Sequence, residues 1–240
     1  MGLIKKIFLI VNICILISCN NKKSNNGQQI NIRKVEYQSS NDDYKYNISI
    51  PQFENIASAD ISNLNVALQE NARIVIDNVS MDDDDIDETN LQRDAMISYD
   101  IKDNSFDILS IVLDTYIYQG DGNAIGYIES YNLSKKSLKL LEFRDIFVNK
   151  AEEYIEKYIK KATSQYTDMK VVSKVFQDDK RGVEIPFSEV DFKVKTAVLY
   201  FEDNDVVFVY PSYEIVGDPF KMIVFRVNKG EITEYIKKEM

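Results

Sequence analysis

Chemistry in this chain has to come from carboxylates, serines, threonines, tyrosines and lysines, with one cysteine in a special position. The 240 residues contain no histidine, which excludes Ser-His-Asp and Cys-His catalysis and every histidine-based zinc site. The two cysteines are Cys14, inside an apolar run, and Cys19, just after it. The rest of the chain has no thiol for a disulfide, a nucleophile or a soft metal. Tryptophan is also absent, so ring stacking falls to fifteen tyrosines. No cofactor is expected.

Tyr118, Asp121, Asn123 and Tyr213 form the candidate ligand-binding set. Asp121 and Asn123 sit in the loop Gln119-Gly-Asp-Gly-Asn123 beside Tyr118, although such a loop also serves as a plain turn. Tyr210, Tyr213 and Glu214 would flank a groove, but tyrosines on strands are more often half-buried packing residues. In the acidic run after Met81, Asp83, Asp85, Asp87, Thr89 and Asp94 fall at positions 1, 3, 5, 7 and 12 of a calcium loop. Glu88 stands where that loop needs glycine and Asn90 where it is usually apolar, so the run reads as a solvated loop and no metal site is expected. Two acids held about 5–10 Å apart across a cleft would make a glycan hydrolase. The 39 acidic residues include no pair with a signature, and no catalytic residue is assigned.

The N-terminus carries the clearest signal. Lys5 and Lys6 precede an almost unbroken apolar run over residues 7–17, the layout of a secretory signal. The run is short for a membrane span, which needs about 20 apolar residues. Its end, Leu16-Ile17-Ser18-Cys19, resembles the bacterial lipobox, in which the signal is cut before a cysteine that is then acylated. Residues 20–29 hold no apolar side chain, so they read as a flexible tether between a lipid on Cys19 and a folded body. Formal charge is −10, and loss of residues 1–18 with their two lysines moves it to −12. That balance disfavours nucleic acid as a partner and suits solubility or a cationic partner.

The elements behind the candidate residues read as α+β, mostly antiparallel sheet with two main amphipathic helices, because strands come in runs. Alternation predicts a strand over 44–51 ending at Pro51, and strands over 95–102, 106–118 and 124–133, with a short one after the turn at 134–137. Ile61, Leu64, Leu68, Ala72, Val75 and Val79 predict a helix over 61–79. Residues 142–166 read as one long helix with ion pairs Glu153–Lys157 and Glu156–Lys160. A short extended segment follows at 183–190, then strands at 194–202, 206–210, 213–216 and 222–227 and a helix over 231–238. The expected divisions are a signal (1–18), lipidated cysteine and tether (19–34), an N-terminal α+β part (35–130) and a C-terminal α+β part (131–240).

This order of pieces, with Leu140-Leu-Glu-Phe-Arg-Asp-Ile-Phe147 leading into a long helix and Val206-Val-Phe-Val-Tyr-Pro-Ser-Tyr213-Glu-Ile-Val near the end, resembles the extracytoplasmic module of RsiV-like anti-sigma factors. A similar module precedes the catalytic domain of PdaC-like peptidoglycan deacetylases. The resemblance covers about residues 40–230 and implies an α+β module outside the cytoplasm. RsiV-like modules recognise lysozyme, a basic protein, and an acidic surface suits such a partner. The family often has Tyr and then Gly-Gly-Ala-His where this chain has Tyr118 to Ala124 without histidine, so no role of that histidine carries over. RsiV-like proteins hold a sigma factor with a cytoplasmic segment. Only six residues precede the apolar run here, and sigma-factor control is not expected.

The expected function is that of a cell-envelope lipoprotein, anchored to an outer membrane or cell surface through Cys19, that binds without catalysis. Its partner would be peptidoglycan glycan or a basic protein such as lysozyme. The alternatives are a carboxylate-dependent glycan hydrolase and a surface interaction protein with no small ligand.

Overall fold

The computed structural model describes residues 30–80, 92–103, 107–120, 124–164, 170–173, 183–187, 190–211 and 222–238. The signal, Cys19 and most of the expected tether lie outside these residues. The chain is α+β, with mostly antiparallel strands. It divides into two units, Met1–Tyr99 with Leu113–Gly126, and Asp100–Val112 with Tyr127–Met240. The cuts between them fall inside strands.

In the first unit, β1 (Asn31–Ser40) pairs antiparallel with β2 (Tyr44–Glu54) along its whole length. β1 was not legible in the sequence, and it takes residues 31–34 out of the expected tether. After β2 the chain enters α1 (Ala59–Ser80) and returns in β3 (Arg93–Asp103), whose residues 93–97 pair parallel with β2. A parallel pair needs such a crossover. The six apolar residues predicted for the helix are the ones α1 buries, against a β2 face that includes Ile48 and Ile50.

β2 does not stop at Pro51. That residue sits opposite Lys34 of β1, and the strand runs on to Glu54. Pairing with β3 ends at Ile48, so the β3 side of β2 is open beyond it and a residue without an N–H is tolerated there. The next backbone groups still need partners. Asn65 of α1 supplies them, its amide accepting from Phe53 N and donating to Phe53 O, both at 2.9 Å. Gln69 adds a bond to the buried Gln52 at 2.9 Å.

β4 (Ile108–Tyr118) and β5 (Ala124–Ser134) complete a five-stranded sheet in the order β1-β2-β3-β4-β5. Leu109, Ile111, Leu113 and Ile117 are buried as one face predicts, but Ile108, Ser110 and Val112 between them are buried too, so much of β4 is covered on both sides. The short strand expected after 134–137 is a single bridge, Leu133 to Leu140, closed by a turn with Leu138 at φ 56°.

The second unit holds α2 (Phe143–Ile146), α3 (Ala151–Thr163), a ribbon of β6 (Lys170–Ser173) and β7 (Val183–Pro186), and a sheet ordered β10-β9-β8. Those strands are β8 (Val198–Glu202), β9 (Asp205–Pro211) and β10 (Met222–Asn228). Val206, Phe208 and Tyr210 of β9 join Ile155 and Ile159 of α3 in one core. Val207 and Val209 join Val112 of β4 and Ile128 of β5 in another. Burial on both faces explains the unbroken apolar run, since alternation disappears when neither side meets water.

One expected helix over 142–166 is two. Phe147 turns extended (φ −113°, ψ 153°) and forms a bridge with Ile236. Val148 N donates to Tyr235 O and Lys237 N to Ile146 O, each at 2.9 Å. The same pairing ends the expected C-terminal helix as a 3-10 turn over Thr233–Tyr235. Tertiary pairing thus overrides helical propensity in both segments at once. Glu156 does not serve the expected pair within α3. Its carboxylate faces Lys193 Nζ (3.6 Å) and Val194 N (3.4 Å).

The outer edge of β8 is closed by side chains. Asn132 Nδ2 donates to Leu199 O at 2.7 Å and Ser130 Oγ to the same oxygen at 2.6 Å. Phe201 N donates to Ser110 Oγ at 3.1 Å, and that hydroxyl donates on to Asn132 Oδ1 at 2.6 Å. Ser110 and Asn132 are buried. Asn132→Ala strips the amide from both ends of this chain of bonds. It is expected to cost about 1–3 kcal/mol, read as a lower urea midpoint with an unchanged m-value.

Candidate functional site

Of the four predicted binding residues, Tyr118 is described, and it is the half-buried last residue of β4. Gly120 beyond it has φ 87°, a conformation that favours glycine. Asp121, Asn123 and Tyr213 lie outside the described residues, as does the acidic run over 81–91. Asp94, the last position of the calcium pattern, is on β3 and pairs with Lys45 Nζ at 3.1 Å. Among the described residues no group of three or more acidic or thiol side chains is placed to hold a metal. Tyr210 follows the packing reading. It is buried edge-on to Phe192 and Phe225, with centroids 4.9 and 5.9 Å away. Its hydroxyl has no hydrogen-bond partner among the described residues, and burial pushes its pKa up.

The first unit presents an open cleft of about 930 Å³ on its sheet. Its construction follows from strand register. Asn47 lies between Gln38 of β1 and Met96 of β3, and Lys45 lies between Ser40 and Asp94. These are two adjacent rows of cross-strand neighbours on one face, because side chains alternate along a strand. The intervening Tyr46, Ile48, Ala95 and Ile97 are buried. Tyr116 of β4 contributes a ring to the lining and shares its strand face with Tyr118. Within the rows Gln38 Nε2 donates to Asn47 Oδ1 at 3.2 Å. The Lys45–Asp94 pair cancels its own charge, and Met96 is 41% exposed. The signal for this site was present in the sequence as the polar half of the alternation Lys45-Tyr-Asn-Ile-Ser49.

A second cluster lies on β5 in the other unit. Ile128, Ser130 and Asn132 face β8, which leaves Tyr127, Glu129 and Tyr131 together on the opposite face. Tyr131 Oη donates to Glu129 Oε1 at 3.5 Å. Burial raises the Glu129 carboxyl above the usual carboxylate range, with the Tyr131 hydroxyl opposing it. Burial and then the Glu129 charge push Tyr131 up to about 12. The sequence showed these three only as strand residues, since nothing local reports which face of a two-sided strand stays half-open.

Residues 144–222 match a family model, that of the protein of unknown function DUF3298. The segment runs from Arg144 in α2 to the first residue of β10 and contains, of the motifs that carried the sequence resemblance, the end of the first, Arg144 to Phe147, and the whole of the second, Val206 to Val216. The fold is shared with two solved DUF3298 family proteins. One, from Pseudomonas aeruginosa PAO1, is 12% identical with a TM-score of 0.56, over 88% of this chain and 96% of that one. The other, from Bacteroides fragilis NCTC 9343, is 12% identical with a TM-score of 0.55, over 90% and 96%. No curated protein sequence matches. The DUF3298 segment includes neither cleft row, whereas the structural likeness spans nearly the whole chain.

Glu129 is testable through stability. Its folded carboxyl holds a proton to higher pH than the unfolded chain does. Its contribution to folding is therefore intact below the unfolded value, about 4.3, and is lost as pH rises through the raised folded value. Glu129→Gln is expected to match the parent's melting temperature in acid and to melt higher than the parent at pH 7, as thermal scans across pH will show.

Proposed function

We propose that the chain is exported, acylated on Cys19, and serves as a non-catalytic module that binds an envelope ligand, either peptidoglycan glycan or a basic protein such as lysozyme. Export and acylation rest on Lys5, Lys6, the apolar run over 7–17, Ser18-Cys19 and the polar stretch that follows. The amide- and thioether-linked chains of such an anchor hold a protein stably, at about 0.8 kcal/mol per buried methylene. No helix among the described residues is long and apolar enough to cross a membrane, so in this reading the lipid is the attachment. The observation that carries the binding role is the open cleft of the first unit, built from exposed polar side chains over a buried floor.

Metabolic labelling with a radioactive fatty acid tests the anchor. The parent is expected to take up label in the membrane fraction and Cys19→Ala to take up none. Equal labelling of the variant, or a parent found in the cytosol, overturns it. The detergent-solubilised full chain is expected to retain insoluble peptidoglycan or lysozyme in a pull-down. Retention of neither points to the surface protein with no such ligand.

Glu129 supports a second reading, a carboxylate-dependent glycan hydrolase. A carboxyl with a raised pKa has the property a general acid needs. Under that reading the purified chain releases reducing sugar from peptidoglycan and Glu129→Gln loses at least about a hundredfold of the rate. Absence of release leaves the binding module.

A further inference from the structure

We propose that the cleft formed by the rows Gln38–Asn47–Met96 and Ser40–Lys45–Asp94 is the ligand site of the module, and that it takes an uncharged glycan segment. The inference rests on the binding reading above and selects between its two ligand classes.

Charge decides first. The chain carries a formal −10, yet the cleft rows hold one cation and one anion, joined to each other at 3.1 Å. A cationic protein finds no surplus negative charge there, and an anionic ligand finds no surplus positive charge. What remains is a neutral polar surface. Gln38 and Asn47 supply amides, each both donor and acceptor, and Ser40 supplies a hydroxyl. Their mutual bond uses one donor on Gln38 and one acceptor position on Asn47, and neither side chain makes another side-chain hydrogen bond among the described residues. Gln38 Oε1 and Asn47 Nδ2 are therefore left to meet hydroxyl and acetamido groups of a sugar.

Shape agrees. About 930 Å³ lies toward the upper end of the roughly 300–1,000 Å³ usual for small-molecule sites. The cleft is open, so a segment of a polymer can lie in it without threading an end. Met96 and the Tyr116 ring give the weakly apolar surface that the C–H faces of sugar rings pack against. The floor is set beforehand. Ile48, Ala95 and Ile97 are buried, and Asn65 ties α1 to the end of β2. A site already ordered loses little entropy when it binds.

The test is calorimetric titration of the full acylated chain in detergent micelles with an N-acetylglucosamine tetramer, and separately with lysozyme. The parent is expected to bind the tetramer. Asn47→Asp and Met96→Glu, both at exposed positions and expected to keep the parent's melting temperature, are each expected to weaken that binding at least about tenfold. Tetramer binding that both variants leave intact overturns the proposal, as does binding of lysozyme, or of whole peptidoglycan in the pull-down, without the tetramer. In either case the binding-module reading survives. Binding of none of the three removes both.

Discussion

At the outer edge of β8, Leu199 C=O and Phe201 N–H point away from the β9 ladder into protein, and the second unit depends on how they are satisfied. A buried backbone group without a partner costs about 1–3 kcal/mol, a large share of a typical domain's stability of about 5–15 kcal/mol. Ser110 and Asn132, with Ser130, meet both groups by side chain. The same device recurs where β2 outruns its parallel neighbour and Asn65 serves both polar groups of Phe53. A strand edge capped by amides and hydroxyls is also closed to pairing with another chain, a hazard of exposed edges.

A further buried polar contact follows the same logic with charge. Lys229 Nζ meets Asp103 Oδ2 at 2.5 Å, and both side chains are almost fully buried, at 7% and 3% exposure. The ammonium also donates to Asp203 O and lies 5.3 Å from the centre of the Phe201 ring. Such a pair adds little net stability against an apolar replacement, but it strongly penalises any arrangement that separates its members. It therefore ties the end of β3 to the turn after β10 and to the β8–β9 turn, where Asp203 holds φ 49°.

These constraints leave each unit with a packed core and a half-open polar surface. In the first, the buried floor under Asn47 and Lys45 holds their side chains in register. In the second, the face of β5 away from β8 keeps Glu129 between two tyrosines, half-buried enough to raise its pKa. Both surfaces are consequences of period-2 alternation, with one face spent on the core and the other left for solvent or ligand.

Much of the fold was legible. The α1 stripe from Ile61 to Val79, the strands read at 95–102, 106–118 and 124–133 and the β8–β9 turn all follow from short-range pattern, because apolar spacing and turn residues act over a few positions. Of the predicted binding set only Tyr118 falls among the described residues, and the cleft rows were not read, since a row joins residues 38, 47 and 96 that only register brings side by side. By itself the sequence determined the α+β class, the absence of histidine and thiol chemistry from the body of the chain, and its acidic charge, all of which are composition or local periodicity. Only tertiary structure decided that residues 143–163 form two helices, that β2 passes through Pro51, and that Glu129 is half-buried. Each depends on a partner far along the chain, Ile236 for Phe147 and Asn65 for Phe53, or on which strand face the core consumes. No local pattern encodes that.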